Sequence, residues 1–365
     1  MSVTFDTIPA STRKPGVYME FNTSLAVRTL ASNAQSICLV VPLGVGATIA
    51  ANVPTRVYSA DDARTACGDV AAEMVAAAIA AYRYVAISVV GVVVQGDAEP
   101  SITDALDATA LGGFTILVPA WFSQTSLTAL KTHIETYTGS IEQQSIVGVA
   151  AVVSTLSGAT TLATSLNAAK ITIAALPGTA STARQVAAAY AAVIASEEDP
   201  ARPLNTLALA GISVPAIAQR LGRTEQETAL ANGVTPLEVA AGDVVQIVRA
   251  ITTYTKSAAG SADVSLLDLT SIRTLFYVRN ACRERIRLRF PRAKLSSRTP
   301  DAVRGELLDV LKKLEDLEII ENVDDNAEGL IVERSTQDAN WLASAIPADV
   351  VNGLHVFAGR IDMIL

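Results

Sequence analysis

Between residues 36 and 196, short runs of β-branched and apolar residues alternate with Ala-rich stretches of helical length. The run Ser36-Ile37-Cys38-Leu39-Val40-Val41 reads as a buried strand stopped by Pro42. Ser59 to Asp62 offers an N-cap for the helix that follows. After it the cycle repeats: helix 69–84 and strand 85–94, helix 101–111 and strand 114–119, helix 126–137 and strand 146–153, helix 161–169 and strand 171–176, then helix 181–196. Parallel neighbours need a crossover long enough to hold a helix, so this order predicts an α/β fold with a mostly parallel sheet covered on both faces.

Beyond residue 197 the pattern changes. Thr224 is expected to cap a helix ending at Asn232, with Glu227 in the capping-box position and Gly233 as its left-handed stop. Residues 244–254 read as a strand, and Lys256 to Ser261 as a linker. A long Arg-rich helix over 266–290 and a second helix starting at Thr299-Pro300-Asp301 follow. Residues 317–323 and 329–334 read as a β-hairpin. The domain reading is an N-terminal arm with a donated strand (1–30), an α/β scaffold domain (31–255), an α+β C-terminal domain (256–352) and a C-terminal strand arm (353–365).

Both ends are β-prone. Val17, Met19 and Phe21 alternate with Tyr18 and Glu20, and His355, Phe357, Ile361 and Met363 alternate in the same way. The chain closes on Met363-Ile364-Leu365 with no charged tail. An unpaired apolar strand invites aggregation unless something pairs with it. The ends are therefore expected to pair with neighbouring subunits, through Val17, Tyr18, Met19, Glu20 and Phe21 at one end. His355, Val356, Phe357, Arg360, Ile361 and Met363 serve at the other. The acceptor is expected to be a neighbour's 317–334 hairpin.

The chemistry of catalysis is thin. His133 and His355 are the two histidines, and there is no GxSxG, P-loop or HExxH motif. Gly44-Val45-Gly46 lacks the third glycine of a dinucleotide fingerprint. Glu197/Glu198 and Asp324/Asp325 fall in predicted loops rather than in an apolar pocket. Cys38, Cys67 and Cys282 are far apart and odd in number, which argues against a disulfide framework or zinc site and fits a reducing cytoplasm. No catalytic residue, cofactor or metal is expected. No apolar run is long enough to span a bilayer, and the N-terminus lacks the pattern of a secretory signal.

Charge is uneven around a net of -8. Residues 273–298 hold nine Arg or Lys and a single acid, Glu284, whereas thirteen acids stand between Asp301 and Asp349. Arg279, Arg283 and Arg287 recur at i, i+4, i+8 and share a helical face. Few aromatics accompany them, which argues against nucleic acid. An acidic protein surface is the favoured partner, with a solvated or internally paired face as the alternative.

Several stretches together resemble the tail sheath proteins of contractile phage tails, most of all the Mu-like group. They are Ile8-Pro9-Ala10, the run from Arg13 through Pro15-Gly16-Val17-Tyr18 to Asn22, Glu225 through Gly233-Val234-Thr235-Pro236-Leu237-Glu238-Val239, Gln246 to Tyr254, and Val350 to His355. The resemblance runs end to end, although the chain is short for such sheaths and extra outer domains are expected to be missing. It implies a structural, non-enzymatic subunit of the virion tail, assembled in the host cytoplasm. Hexameric rings would stack helically around the tail tube, linked by exchanged strands, and contract to drive the tube through the host envelope. Its partners would be further copies of itself, the tail tube protein, and baseplate and terminator proteins, with no nucleic acid and no membrane. The α/β domain would lie outside and the C-terminal domain inside, with Arg279, Arg283, Arg287, Arg289, Arg292 and Lys294 as the candidates for facing the tube. Another self-assembling tube or shell protein, or an α/β enzyme, is the alternative.

Overall fold

Strand β1 (Ser36–Pro42) shows how the sheet is built. Ile37, Leu39 and Val41 enter one hydrophobic core, while Cys38 and Val40 enter another on the opposite face. Both sets are fully buried, so the strand is central and apolar throughout. The computed structural model describes residues 33–96 and 98–363, with Gly16 and Met19. Of the N-terminal strand candidates, Val17, Tyr18, Glu20 and Phe21 lie outside the described residues, and Met19 is exposed.

The other strands of the main sheet are β2 (Thr55–Val57), β3 (Ala86–Val92), β4 (Ile116–Pro119), β5 (Val147–Val152), β6 (Ile171–Ala175), β7 (Thr235–Ala240) and β8 (Val244–Ile247). Their order is β2-β3-β1-β4-β5-β6-β7-β8. The inner strands β3 to β7 are parallel, and β2 and β8 add antiparallel edges. The first five helices divide by direction of travel, as right-handed crossovers require. Helices α1 (Ala60–Cys67) and α2 (Asp69–Ala81) lead away from β1 to β3 and bury Ala63, Ala71, Met74 and Ala78 on one face. Helices α3 (Thr103–Thr109), α4 (Gln124–Tyr137) and α5 (Leu156–Leu166) lead the other way and bury Leu106, Leu130 and Ala163 on the opposite face. Helix α6 (Ala183–Ser196) packs with α2, and α7 (Arg223–Ala231) with α5. Alanine at the α2 and α6 contact keeps side chains short and lets the helices sit close to the sheet.

A polar knot fastens the far end of this sheet. Tyr190 on α6 is fully buried, and burial pushes its phenol up to about 12. Its hydroxyl lies 3.0 Å from Thr172 Oγ1 and 3.3 Å from Thr235 Oγ1. Thr172 donates to the Ile251 carbonyl at 2.7 Å, and Thr235 Oγ1 accepts from Ile251 N–H at 2.9 Å. Buried polar groups are tolerated when each finds a partner in this way.

The C-terminal part contains α8 (Leu269–Arg289), α9 (Thr299–Asp316), and strands β9 (Ile320–Glu321), β10 (Ile331–Arg334), β11 (Leu342–Ala345) and β12 (Asp349–Val350). Strand β9 pairs with β12, and β10 with β11, both antiparallel. The expected fold class, α/β plus a smaller α+β part, is the one observed.

Several local expectations are corrected. The 317–334 hairpin is absent: its two strands pair with later segments instead of with each other. Arg304 on α9 donates to the carbonyls of Ala327 at 2.8 Å and Leu330 at 2.9 Å, which carries the chain away from β9. Among the described residues, 351–363 form no strand within this chain, and the pairing expected of them with a neighbour remains a proposal. The expected strand 244–254 stops at Ile247. Beyond it the backbone bonds elsewhere, with Thr252 N–H on Leu267 O and Thr253 N–H on Ile171 O. Ser59 does cap a helix, but that helix is α1, separated from α2 by Gly68 at φ +106. Helix α7 begins after Gly222, whose N–H is held by Glu225 rather than Glu227 at 2.7 Å. Strand β7 lies in a run not assigned as a strand from sequence, because Pro236 weakens the signal.

Gly233 does stop α7, with φ +73, and it also packs on the Thr253 backbone. A Cβ there would stand 2.9 Å from Thr253 Cα. Gly233→Ala therefore combines left-handed strain with a backbone clash, and is expected to cost about 1–3 kcal/mol. Urea unfolding against the wild-type chain measures it; an unchanged midpoint would refute the close approach.

Candidate assembly surface

Helix α8 joins the two parts. Its first turns bury Leu269 and Ile272 in the core under the main sheet. Arg273 follows, with its guanidinium buried; burial lowers it to about 10, partly offset by Glu197 and Asp199, and it donates to the Glu197 carbonyl. One turn and a half later, Arg279 donates to the carbonyls of Thr138 (2.8 Å) and Gln144 (2.6 Å) and stacks 5.0 Å from the Phe276 ring centre. Thr138 is the C-cap of α4, where exposed carbonyls favour a cation. Burial and then the neighbouring Arg283 lower the Arg279 guanidinium. Asn280 adds a hydrogen bond to Ser145 at 3.1 Å.

The predicted basic residues therefore separate. Arg279 is bound to its own chain, and Arg283 reaches the Gln143 carbonyl at 3.5 Å. Arg289 pairs with Glu306 at 3.1 Å. The exposed Arg287, Arg292 and Lys294 form no ion pair among the described residues. Arg285 was not singled out from sequence, yet with Arg273 it is one of two buried arginines in the cluster. It pairs with Glu306 at 3.1 Å and Asp309 at 2.7 Å, and so ties α9 to α8. A signal for it was available: basic residues at 285 and 289 and acidic ones at 306 and 309 mark facing sides of two consecutive helices.

Beside α8 lies an apolar groove of about 680 Å³, lined by Val278, Ile286, Phe290, Val303, Leu342 and Ile346 among others, with Arg279, Arg283 and Arg287 on its rim. Alternate residues of one extended segment, from Asn340 through Leu342, Ser344 and Ile346 to Ala348, all face this groove. Among the described residues, strand β11 within that segment pairs on one side only, with β10. A free strand edge thus borders an apolar trough.

The C-terminal arm leaves the body after β12 without regular structure. Val356, Phe357, Arg360, Ile361 and Met363 are exposed, and Arg360 pairs with Asp362 at 2.6 Å. His355 differs: its side chain is 15% exposed and turned toward Asn205 and Asp268. The other histidine, His133, is buried on α4 beside Asp107 at 3.4 Å, and burial lowers its imidazole. Among the described residues no group of His, Cys, Asp or Glu could hold a metal ion, and no helix is long and apolar enough to cross a membrane.

Comparison with known proteins supplies the family. The phage tail sheath protein central domain matches residues 95–253, and the phage tail sheath C-terminal domain matches residues 261–364. The chain belongs to the phage tail sheath family. The Mu-like prophage FluMu tail sheath protein of Haemophilus influenzae is 35% identical over 192 residues, which span 49% of this chain and 39% of that protein. The sheath fold extends over nearly the whole chain. The sheath tail protein of Desulfitobacterium hafniense superposes with a TM-score of 0.66 at 12% identity, covering 93% of this chain and 97% of that one. The contracted PVC sheath complex of an extracellular contractile injection system gives 0.65 at 16% identity, covering 98% and 99%.

In this sheath-family fold the α8–α9 pair depends on Arg285. Replacing it with Ala removes the cation shared by Glu306 and Asp309, which keep Arg289 and Lys313, at a cost of about 1–3 kcal/mol. Arg285→Ala is expected to lose protection from amide hydrogen exchange across 299–323 before the main sheet opens. Uniform loss across the chain, or none, would show that the pair does not hold α9.

Proposed function

We propose that this chain is the subunit of a contractile tail sheath, a structural and non-enzymatic component of a virion tail. Rings of six copies stack helically around an inner tube between a baseplate and a terminator, and contract to drive the tube outward. The observation that carries this reading is that one chain bears both halves of a strand-exchange contact. The acceptor is the free β11 edge over its apolar groove. The donor is the exposed arm after Gly353, with Val356, Phe357, Ile361 and Met363 turned to solvent. A strand added to that edge gains main-chain hydrogen bonds and places apolar side chains in the trough. The acceptor thus lies at 340–348 rather than at the hairpin expected from sequence, and the N-terminal arm is a second donor. The sheath family membership and the contracted sheaths of the same fold support the assembly proposed.

The free cations Arg287, Arg292 and Lys294 are proposed to face an acidic tube. Exposed pairs are individually worth roughly 0–1 kcal/mol, so a ring of them grips collectively and still releases during contraction.

Electron microscopy tests both parts. The purified chain should form hollow tubes, and deletion of residues 354–365 should leave a folded chain that forms none. Tubes of normal length from the truncated chain would overturn the donor role. Reversal of Arg287, Arg292 and Lys294 to Glu should block assembly on tail tubes while leaving spontaneous polymerisation intact, and raised salt should act in the same direction. Extended sheaths of normal length on tubes from that triple variant would remove these residues from the tube interface.

A further inference from the structure

Among the described residues of the C-terminal arm beyond Gly353, His355 is the one whose side chain turns inward. Its neighbours Leu354 and Val356 are about four-fifths exposed, at 80% and 79%, against 15% for the imidazole. Asn205 Nδ2 lies 3.0 Å from Nδ1 of the ring. The other nitrogen, Nε2, is buried and faces Asp268 Oδ1 at 3.5 Å. Asp268 is itself held by two bonds from Arg249, Nε to Oδ1 and Nη2 to Oδ2, both 2.8 Å. Gly353 completes the seat: a Cβ there would stand 2.6 Å from Pro203 and 2.9 Å from the imidazole Nε2. Two stretches that stood out in the sequence, 246–254 and 350–355, therefore meet at one point through Arg249, Gly353 and His355.

We propose that His355 is the positioning residue of the C-terminal arm, a latch on Asn205 and Asp268 that fixes the direction in which the arm leaves its own subunit. This rests on the reading of the arm as an exchanged strand and says how that strand is aimed. A segment of a dozen residues with no anchor samples many directions, and ordering it on a neighbour costs conformational entropy. One seated side chain at its root removes part of that cost before the neighbour is met, while the residues beyond remain free to pair.

The latch is sensitive to acid. In the neutral ring with Nδ1 accepting from the Asn205 amide, Nε2 carries the proton and stands 3.5 Å from Asp268 without a hydrogen bond. Protonation puts a second N–H against the Asn205 amide donor and a positive charge near Arg249. The charged groups facing the ring are Arg249 and Asp268. Burial first, then Arg249, lowers the imidazole below its ordinary value, against the opposing pull of Asp268. The sign follows from linkage. The released arm binds the proton more readily, so seating is complete above the free imidazole value of about 6.5 and weakens as pH falls through it.

The test uses the full, unassembled chain. The native cysteines are buried, so nitroxides can be placed at Phe357→Cys and Val264→Cys, both exposed positions. The distance distribution between them is then read by pulsed electron resonance at about pH 8 and about pH 5. The expected result is a narrow distribution at the higher pH that broadens at the lower. His355→Ala and, independently, Asn205→Ala should give the broad distribution at both. A distribution that stays narrow in both variants, or is equally broad in the wild-type chain at both values, overturns the latch. Tube formation is scored separately by microscopy: absence of tubes with a working latch would count against the proposed sheath function alone. Unaltered distances in a chain that does form tubes would count against the latch alone.

Discussion

Helix α8 is the member on which everything after residue 268 depends. Its amino-terminal turns are buried under the main sheet, so its axis is fixed by the same core that holds β1 to β7. Its carboxyl-terminal half then extends away as part of one unbroken helix of 21 residues, roughly 31 Å long. Helix α9 hangs from that half through Arg285. The groove and the strand edge beside it are therefore placed relative to the α/β body by that rod, while the root of the C-terminal arm sits directly on the body at His355. Load applied at the groove reaches the sheet through that rod and through the hydrogen bonds of Arg279 to the end of α4.

The arginines of this region do different work according to what they meet. Arg273, Arg279 and Arg285 are desolvated and give their donors to carbonyls or carboxylates of the same chain. Removing charge from water is costly, and mutual attraction repays it only when the geometry is good, so such residues specify an arrangement more than they add net stability. Arg287, Arg292 and Lys294 remain hydrated, so a partner could recruit them at little desolvation cost. That division suits the proposed sheath role, in which the subunit would hold its own shape while letting go of what it touches.

The parallel sheet was legible because its signal is local. β-branched runs such as 36–41 and 171–175 and capped Ala-rich helices alternate at a spacing that few folds accommodate. The C-terminal part was less legible for the same reason in reverse. Which strand β9 or β10 pairs with is decided by Arg304 holding the 327–330 turn, a contact across a helix that no window of sequence contains. The charge run at 273–298 was plain in the sequence, but composition could not tell the satisfied arginines from the free ones. Nor could the pattern at 353–363 reveal that His355 faces its own body. Alternation marks faces of a strand, and the body supplies the second surface only once 205, 249 and 268 have been folded together.

The small sheets bear on the proposed association. A two-stranded sheet is marginal in water on its own, and the C-terminal part contains two of them, β10–β11 and β9–β12. Helix α9 covers some of their apolar surface, yet among the described residues the β11 edge and the groove beside it stay open, while the arm that could fill such a place points outward from the same molecule. A chain cannot easily satisfy both needs by itself if the root of that arm is held at His355. Filling the groove from a neighbour instead makes a contact between unlike surfaces, and such contacts close into rings or run on as helices according to the rotation between copies. In the proposed strand exchange, the open β11 edge favours a polymer, and the direction of the arm root bears on which polymer forms.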